Sequence, residues 1–457
     1  MRIAELAGRR VAIWGFGREG RAVIKTLRTA LPSQSLSLLC RANESDAARA
    51  FDSALDVITG EPDAAMLGRF DVVVKSPGIS AYKPALLAAQ VQGTRFTSGT
   101  ALWFGENPDA RVIAVTGTKG KSTTSALIAH LARSLGVRTA LAGNIGLPLL
   151  ELNGQQAELW VIELSSFQTG EAGPVALGVV TSLYEEHLDW HGSREQYVID
   201  KLKLADVSRQ LLVNALQANL LERTQAHPHR LLFGRPAGWH VAGGFIRRGA
   251  QNVFPIAQLA APGLHNALNA CAALSALEAI GIDALAAAPA LARFRPLPHR
   301  LQPLGEHDGW HWINDSISTT PLATLAALES VHGRRVTVLV GGHDRGLDWT
   351  PFVEAMRTAP AHAIVCMGAN GGRIADALRT AGVTSPVALV ADLAGAVAEA
   401  KTRTPAGGVI LLSPGAPSFD QFRDYAERGR RFCALAGFDP ASIASIEGLG
   451  IVAARGG

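Results

Sequence analysis

The chain has few of the features that mark several common classes of protein. Its 457 residues contain four cysteines, and these are far apart: Cys40, Cys271, Cys366 and Cys433. That spacing fits neither a disulfide framework nor a zinc site, so we expect reduced thiols in the core of a cytoplasmic protein. No apolar run approaches the ~20 residues of a membrane-spanning helix. The residues after Met1 also lack the apolar segment of a signal peptide.

Concentrated charge of one sign is missing as well. Lysine and arginine total 43 and aspartate and glutamate 39, which gives a net charge of +4 with no basic block. This distribution suits anionic small molecules and gives no reason to expect nucleic acid as a partner. With 48% hydrophobic and 18% charged residues, the composition is that of an ordinary globular protein. The length predicts about three domains.

The most informative stretch that is present runs from Val115 to Thr124 and reads Val-Thr-Gly-Thr-Lys-Gly-Lys-Ser-Thr-Thr. An apolar strand leads into it and a helical run leads out. Glycines in such a loop let backbone N–H groups approach nucleotide phosphates, Lys121 adds positive charge, and the Ser122 hydroxyl can reach Mg²⁺. The loop is shorter than the common P-loop, because only two residues separate Gly117 from Gly120.

A second glycine-rich turn, Gly15-Phe-Gly-Arg-Glu-Gly20, also lies between a predicted strand and a predicted helix. Dinucleotide sites of this pattern need an acidic residue after the next strand to hold the ribose, but Cys40-Arg41 stands there. NAD is therefore disfavoured, whereas a phosphate-bearing ligand is still compatible. The loop from Ser76 to Ser80 follows another buried strand and offers further donors. The alternative is that these glycines serve packing alone.

Strands and helices alternate in three segments, which we place at residues 1–97, 98–298 and 299–457. Such alternation predicts α/β domains with mostly parallel sheets, whose ligands gather at the carboxyl ends of the strands. We expect a Rossmann-like N-terminal domain, a central sheet of the P-loop ATPase type and a C-terminal Rossmann-like domain. No role is predicted for residues 438–457.

Several polar residues follow predicted strands. Glu163 ends an apolar strand, as expected of a Mg²⁺ ligand beside a P-loop. His187 suits a metal or a phosphate, although a lone histidine more often has a structural role. Lys201, on the next helix, could bind phosphate or, once carbamylated, a metal, although a solvated lysine is the commoner case. The third segment adds candidates for ribose, metal or carboxylate binding: Asp315, Arg345 and Ser418.

Together these motifs resemble the Mur ligases, which share their shortened P-loop with the folylpolyglutamate synthetases. Four further stretches resemble the MurD branch, whose members add glutamate to UDP-N-acetylmuramoyl-L-alanine: 143–148, 161–168, 297–300, and 411–414 with 420–422. The resemblance extends to about Leu435. It implies a UDP-binding domain, a central ATPase domain and a C-terminal domain that receives glutamate and closes over ATP.

The resemblance also implies an activity. The implied protein is an ATP-dependent, ADP-forming amide ligase that acts in peptidoglycan synthesis in the cytoplasm and thereby supports cell shape and cell division. ATP would phosphorylate the alanyl carboxylate, and the glutamate amine would displace phosphate. The implied cofactors are ATP and Mg²⁺ at two sites. The implied partners are UDP-N-acetylmuramoyl-L-alanine and glutamate, with no nucleic acid, and the protein is expected to be a monomer.

The resemblance assigns site residues in four groups. The catalytic residues would be Lys121, Glu163, His187 and Lys201. Metal would be held by Ser122, Glu163, His187 and, if carbamylated, Lys201. ATP would be bound by Gly117, Thr118, Lys119, Gly120, Lys121, Ser122, Thr123, Asn266, Asn269, Arg300 and Asp315. The UDP substrate would contact Phe16, Gly17, Arg41, Ser76, Gly78 and Asn144, and glutamate would contact Ile317, Thr319, Arg345, Ser418, Phe419 and Tyr425.

Departures from the MurD pattern concentrate in the glutamate group. Ile317 and Arg345 stand where lysines are usual, Phe419 is unusually bulky, and Tyr425 replaces a phenylalanine. Enantiomers share every functional group and differ only in where those groups point, so such a pocket favours L-glutamate. The alternatives are drift in a D-glutamate pocket, another Mur or folylpolyglutamate type of ligase, and a nucleotide sensor with a dead site. The retained ATP and metal residues argue against the sensor.

Overall fold

The computed structural model describes residues 1–184, 191–260, 263–443, 446 and 448–452. It divides into two compact units. The first consists of Met1–Pro255, Leu268–Leu291 and Gly448–Gly457, and the second of Ile256–Ala267 and Ala292–Glu447. The expected α/β fold with mostly parallel sheets is confirmed. In the part of the chain that is described, no helix is long and apolar enough to cross a membrane.

The first sheet of the first unit has five parallel strands in the order β3-β2-β1-β4-β5. The strands are β1 (Val11–Trp14), β2 (Leu36–Cys40), β3 (Asp56–Thr59), β4 (Val72–Lys75) and β5 (Arg95–Thr97), and the helices are α1 (Arg18–Ala30), α2 (Ser45–Phe51), α3 (Ala64–Leu67) and α4 (Pro84–Val91). Strands β1 and β4 are buried throughout, as expected for strands covered on both faces. Because the strand order reverses between them, the loops after β1 and β4 border one crevice.

The second sheet is larger and parallel over six strands, in the order β11-β10-β9-β6-β8-β7. Its strands are β6 (Val112–Thr116), β7 (Thr139–Gly143), β8 (Leu159–Glu163), β9 (Val175–Val180), β10 (Ser208–Asn214) and β11 (Arg230–Phe233). Its helices are α5 (Gly99–Glu106), α6 (Lys121–Ser134), α7 (Arg194–Asp206) and α8 (Ala218–Arg223). The P-loop follows β6, whose neighbours are β8 and β9, so the loops after these three strands meet.

A small antiparallel sheet, which the sequence did not predict, follows β11. Its strands are β12 (Trp239–Ala242), β13 (Phe245–Arg248) and β14 (Gln251–Pro255). The connection from β12 to β13 is Gly243-Gly244, and both glycines have positive φ angles. Such a pair suits a tight hairpin turn and is the local signal that was available. Helices α9 (Leu264–Ala279) and α10 (Ala284–Ala287) follow.

The second unit is built on a six-stranded sheet in the order β15-β16-β20-β17-β18-β19, in which only β15 is antiparallel to its neighbour. The strands are β15 (Gln302–His307), β16 (Trp310–Asn314), β17 (Val336–Val340), β18 (Ala363–Cys366), β19 (Val387–Leu389) and β20 (Val409–Leu412). The helices are α11 (Pro321–Glu329), α12 (Thr350–Thr358), α13 (Gly371–Thr380), α14 (Leu393–Arg403) and α15 (Tyr425–Leu435).

The end of the chain returns to the first unit. Strand β21 (Gly450–Val452) pairs antiparallel with β7 and so extends the larger sheet to seven strands. Arg133 fastens it by donating to the carbonyl oxygens of Thr139, Gly448 and Gly450. All four cysteines are buried and free, as predicted.

Candidate functional site

The P-loop depends on two glycines with left-handed backbone. Gly117 has φ 141°, and a β-carbon there would stand 2.1 Å from Thr181 Oγ1. Gly120 has φ 83°, and a β-carbon there would stand 2.5 Å from Asn269 Oδ1. Any side chain at either position would therefore displace the neighbouring residues. Asn269, a predicted ATP contact on α9, thus lies directly against the loop.

Strand β9 anchors the P-loop from one side. The Thr118 amide donates to Ser182 O at 2.9 Å, and the Lys119 amide donates to Ser182 Oγ at 2.8 Å. Lys121, the first residue of α6, donates from Nζ to Thr118 O at 3.0 Å, so its ammonium group lies over the loop. A rigid loop with its cation in place at a helix N-terminus is suited to bind phosphate.

Glu163 lies on the other side of the P-loop, at the end of β8. Its side chain is 1% exposed, and its Oε1 accepts from Asn144 Nδ2 at 2.9 Å. The other oxygen, Oε2, is buried without a hydrogen-bond partner among the described residues. Leaving a buried carboxylate oxygen unpaired is costly, so this atom fits a ligand that the protein alone does not supply. A hard divalent cation such as Mg²⁺ prefers such an oxygen.

The other predicted metal ligands are placed in part. Ser122 is 3% exposed in the first turn of α6. His187 lies outside the described residues. In the ranges that are described, no three His, Cys, Asp or Glu side chains cluster as a metal site by themselves.

Lys201 is a buried lysine beside the P-loop. It lies on α7, is 2% exposed, and donates from Nζ to Gly117 O at 3.0 Å. The ring centroid of Tyr197 lies 4.9 Å from Nζ. The interpretation of Lys201 as a solvated surface lysine is therefore wrong. A buried lysine that donates to the P-loop backbone is positioned for a role at that loop.

A chain of four hydrogen-bonded side chains next to Lys201 was not predicted. Asp200 Oδ2 lies 2.7 Å from His191 Nδ1, and His191 Nε2 lies 3.0 Å from Ser166 Oγ. The Tyr82 hydroxyl donates to both carboxylate oxygens of Asp200, at 2.7 and 2.8 Å. We call these four residues the Tyr82–Ser166 relay. The sequence signal was weak: Asp200 directly precedes Lys201 and His191 lies ten residues before it, and neither follows a predicted strand.

Burial and hydrogen bonding act in opposite directions on the pKa values in this relay. Burial lowers the pKa of His191 and outweighs the adjacent Asp200 carboxylate, so its imidazole is neutral near pH 7. Nδ1 then donates to Asp200, and Nε2 accepts from Ser166. Burial tends to raise the pKa of Asp200, but hydrogen bonds from Lys203, Tyr82 and His191 outweigh it, and the net direction is downward.

The turn after β1 has both packing and binding features. A β-carbon on Gly20 would stand 2.0 Å from Gly15 O, so this glycine is needed for α1 to pack on the turn. Gly15 has φ 101°, and a β-carbon there would stand 2.7 Å from Ser76 Oγ. The loops after β1 and β4 therefore touch. A β-carbon on Gly17 or Gly78 would meet no atom within 4 Å, so a ligand could approach the backbone closely at both glycines.

Two predicted UDP contacts lie in different surroundings. Phe16 is 3% exposed and packs edge-on against Phe51, with the Arg21 guanidinium 4.5 Å from its ring centroid. Arg41 is largely exposed after β2 and pairs with Glu44 at 2.8 Å. Phe16 thus shapes the crevice from within the core, whereas Arg41 is accessible to a ligand.

In the second unit the predicted residues follow three adjacent strands, β16, β20 and β17. Asp315, after β16, accepts from Ser413 Oγ at 2.8 Å and from the Leu301 amide at 3.1 Å. Arg345, after β17, lies 5.9 Å from the ring centroid of Phe419, which is 58% exposed. Residues 317 and 319 lie on the loop after β16, Ser418 is buried after β20, and Tyr425 begins α15. The predicted glutamate residues therefore border one edge of this sheet.

Arg428 is the residue of this edge that sequence reasoning missed. Its side chain is 1% exposed on α15 and donates to Ser316 O, Ala416 O and Pro417 O, and to Ser316 Oγ. It therefore ties the loop after β16 to the loop after β20. Burial lowers the pKa of Arg428 to about 10, which leaves the guanidinium charged near pH 7.

The remaining predicted ATP contacts lie in different units. Asn266 belongs to the second unit, as does Arg300 in the loop before β15, whereas Asn269 belongs to the first. The stretch 297–300, which resembles the MurD branch, and the residue after it have an unusual backbone. His299 and Leu301 both have positive φ angles, 62° and 44°, which are uncommon for residues with a side chain.

His299 gives a testable dependence of stability on pH. It is 4% exposed, and burial, reinforced by Arg430, lowers its pKa from 6.5 to about 4. Above pH 6.5 the ring is neutral whether the chain is folded or unfolded. As the pH falls from 6.5 to 4, the unfolded chain takes up a proton that the folded chain does not. We therefore expect this residue to remove up to about 3 kcal/mol of stability across that window.

The measurement is urea unfolding of the wild type and of His299→Asn at several pH values. Asparagine tolerates the left-handed backbone and can accept from the Asn314 side chain, as His299 does at 3.2 Å. The variant should lose stability less steeply between pH 6.5 and 4. Parallel pH profiles for the two proteins would show that His299 does not hold a lowered pKa.

The fold and the first unit's loops define a nucleotide-binding α/β protein with a shortened P-loop. Comparison with known proteins assigns the chain to one family. Residues 115–277 match the family described as the Mur ligase middle domain, and residues 299–415 match the Mur ligase glutamate ligase domain. The chain belongs to the Mur ligase family, whose members are ATP-dependent amide ligases of peptidoglycan synthesis.

Relatives of high identity cover nearly the whole chain. A UDP-N-acetylmuramoyl-L-alanine--L-glutamate ligase of Xanthomonas axonopodis pv. citri is 50% identical over 99% of this chain and 100% of its own length. A protein of the same name from Micromonospora sp. is 38% identical over 94% of this chain and 97% of its own. The crystal structure of UDP-N-acetylmuramate-alanine ligase MurC from Thermotoga maritima shares the fold, with a TM-score of 0.60 and 19% identity over 93% of this chain and 98% of its own.

Proposed function

We propose that the chain joins L-glutamate to UDP-N-acetylmuramoyl-L-alanine in the cytoplasm and converts one ATP to ADP and phosphate. The observation that carries the choice of substrates is the 50% identity, over 99% of this chain and 100% of the relative, to a protein with that name. The departures at Ile317, Arg345 and Phe419 support the L-enantiomer, because they lie at the sheet edge where glutamate is expected. The alternative, D-glutamate, is decided by the experiment below.

The reaction has two steps. In the first, an oxygen of the alanyl carboxylate attacks the γ-phosphorus of ATP, so that an acyl phosphate forms and ADP leaves. In the second, the uncharged amine of glutamate attacks the carbonyl carbon, phosphate leaves, and the nitrogen gives up a proton. A bare carboxylate lacks a leaving group, and phosphorylation supplies one.

We assign the first step to the loops after β6, β7 and β8. The backbone of residues 117–123 would bind the phosphates of ATP, and the Lys121 ammonium would offset the charge that develops on them. Asn144 holds Glu163 in place and would face the muramoyl-alanyl group. Asn269 would support the same nucleotide from α9, and Asn266, Arg300 and Asp315 are proposed as its further contacts.

Mg²⁺, when bound at the two proposed sites, would neutralise phosphate charge. The residues proposed to hold it are Ser122, Glu163, His187 and carbamylated Lys201. The unpaired Oε2 of Glu163 is the structural support for this assignment. A buried lysine also suits carbamylation, because the reaction with CO₂ needs the neutral amine and burial favours that form.

We assign the amino acid to the second unit. Arg345 and Ser418 would bind the glutamate carboxylates, since a guanidinium and a hydroxyl both donate to such groups. Ile317, Thr319, Phe419 and Tyr425 would shape the remainder of the pocket. Replacing a flexible ammonium by a branched apolar group and a planar guanidinium changes where a dicarboxylate can be held, which is what a different stereochemical preference requires.

We assign the UDP moiety to the crevice at the strand reversal between β1 and β4. Its proposed contacts are Phe16, Gly17, Arg41, Ser76 and Gly78. The open space around Gly17 and Gly78 supports close approach by a ligand. We propose a monomer, since all these assignments use one copy of the chain.

Phosphate release tests the function directly. Purified protein with ATP, Mg²⁺ and UDP-N-acetylmuramoyl-L-alanine should release phosphate when L-glutamate is added and at least about tenfold less with D-glutamate. Chiral analysis of the hydrolysed product should return L-glutamate. A preference for D-glutamate would contradict the stereochemical assignment alone, whereas no release with either enantiomer would contradict the proposed acceptor.

A further inference from the structure

The Tyr82–Ser166 relay connects two parts of the first unit that the proposed function keeps separate. Tyr82 follows the loop of residues 76–80, after β4, where we place part of the UDP substrate. Ser166 lies three residues after Glu163, in the loop after β8. Asp200 precedes Lys201 on α7 and bonds directly to Tyr82. One carboxylate therefore connects the acceptor loop to the helix of Lys201 and, through His191, to the loop of Glu163.

The interior members of the relay are buried. The side chains of His191 and Asp200 are 0% and 5% exposed, and Ser166 is 5% exposed. Asp200 also accepts from Gln196 Nε2 at 3.1 Å and Lys203 Nζ at 2.7 Å. Its oxygens thus have several donors converging on them. Gln196 and Lys203 lie on α7 with Asp200 itself, whereas the Tyr82 hydroxyl comes from the segment after β4.

The relay contains serine, histidine and aspartate in the order that activates the nucleophile of serine hydrolases. Here, however, Ser166 is buried. The carboxylate is also shared by Tyr82, Gln196 and Lys203. These contacts suit a group that holds loops in place.

We propose that Asp200 is a positioning residue which couples occupation of the acceptor site to the placement of Lys201 and of the Glu163 loop. This inference rests on the proposed function, because it takes the loop after β4 as part of the acceptor site. When the acceptor binds the loop after β4, the Tyr82 hydroxyl holds the Asp200 carboxylate. Asp200 in turn positions the part of α7 that carries Lys201 and, through His191, positions Ser166 in the loop after β8. Coupling of this kind makes the phosphoryl-transfer site complete only with the acceptor bound.

A double-mutant cycle tests the coupling. Tyr82→Phe removes one hydroxyl from a side chain that is 37% exposed, so folding should survive. Asp200→Asn keeps the shape of the carboxylate and removes its charge. We expect each variant to lower kcat about tenfold and to raise the KM for the acceptor several-fold, with the KM for ATP nearly unchanged. The kcat and acceptor KM of the double variant should equal those of the more impaired single variant, because both changes interrupt the same connection.

The matched control is Lys203→Gln. Lys203 also donates to Asp200, but its side chain is 42% exposed and it lies on α7, three residues after Asp200. We expect its kinetic constants to stay within about twofold of the wild type. Thermal unfolding of all variants identifies a merely structural effect. Such an effect would lower the unfolding temperature without raising the KM for the acceptor more than the KM for ATP.

Each outcome decides the question. Full additivity of Tyr82→Phe and Asp200→Asn, wild-type kinetics for either, or equal losses from Lys203→Gln would overturn the coupling. If the wild type turns over and the variants match it, only this inference fails. If the wild type releases no phosphate with the acceptor, the proposed function fails and the inference fails with it.

Discussion

Glu163→Gln should lower phosphate release by about a thousandfold, the order found when one preorganised charge-stabilising group is removed from an active site. Glutamine keeps the size of the side chain, and its oxygen can still accept from Asn144. Its amide nitrogen, however, replaces the buried Oε2 and cannot bind a cation. The substitution thus removes the proposed metal ligand and changes little else around the P-loop.

A second measurement separates loss of metal from loss of fold. Mg²⁺ together with a non-hydrolysable ATP analogue should raise the unfolding temperature of the wild type by more than the analogue alone, and this increment should vanish in Glu163→Gln. Glu158→Gln is the matched control, because Glu158 is an exposed carboxylate just before the same strand and accepts from the Arg138 amide. A Glu163→Gln variant within tenfold of wild-type activity, or with its Mg²⁺ increment intact, would contradict the assignment.

The parts of the fold that were predicted correctly are those with continuous apolar strands. Strands β1, β4, β6, β8 and β20 are runs of four or five buried residues. Strand β8 ends in glutamate and each of the others is followed directly by glycine or serine, a pattern that is visible without any tertiary information. In a parallel sheet the carboxyl ends of such strands lie on one edge. The grouping of the P-loop with Glu163 follows from that rule alone.

What was missed depends on partners that are distant in sequence. The last strand, Gly450–Val452, is three residues long and owes its place to β7 and to Arg133, more than 300 positions earlier. Asp200 looks like any helical aspartate until its contact with Tyr82, 118 positions away, is known. A lone lysine on a helix is most often solvated, and nothing local in the sequence shows that Lys201 is buried, because its burial depends on residues distant in sequence. Only the resemblance to the Mur ligases predicted a role for it.

Arg428 should have the largest effect on stability. In Arg428→Met the apolar stem is kept, but three backbone carbonyls and the Ser316 hydroxyl lose the guanidinium as a donor. Pro417 O still accepts from the His343 amide, whereas Ser316 O and Ala416 O are left without a donor among the described contacts, which should lower the free energy of unfolding by about 3–5 kcal/mol. Since those carbonyls belong to the loops after β16 and β20, the variant should also raise the KM for glutamate at temperatures where it is still folded, while the KM for ATP changes less.

Urea unfolding and steady-state kinetics check this together. Arg423→Met serves as control, because that arginine lies just before the same helix but is 83% exposed and pairs only with Glu427 among the contacts that the structure describes for it. Its unfolding midpoint and its KM for glutamate should match the wild type. If Arg428→Met unfolds like the control, the guanidinium does not hold these loops. The proposed glutamate pocket would then need another source of rigidity, because Phe419 and Arg345 are both exposed and do not by themselves fix the direction in which an amine is presented.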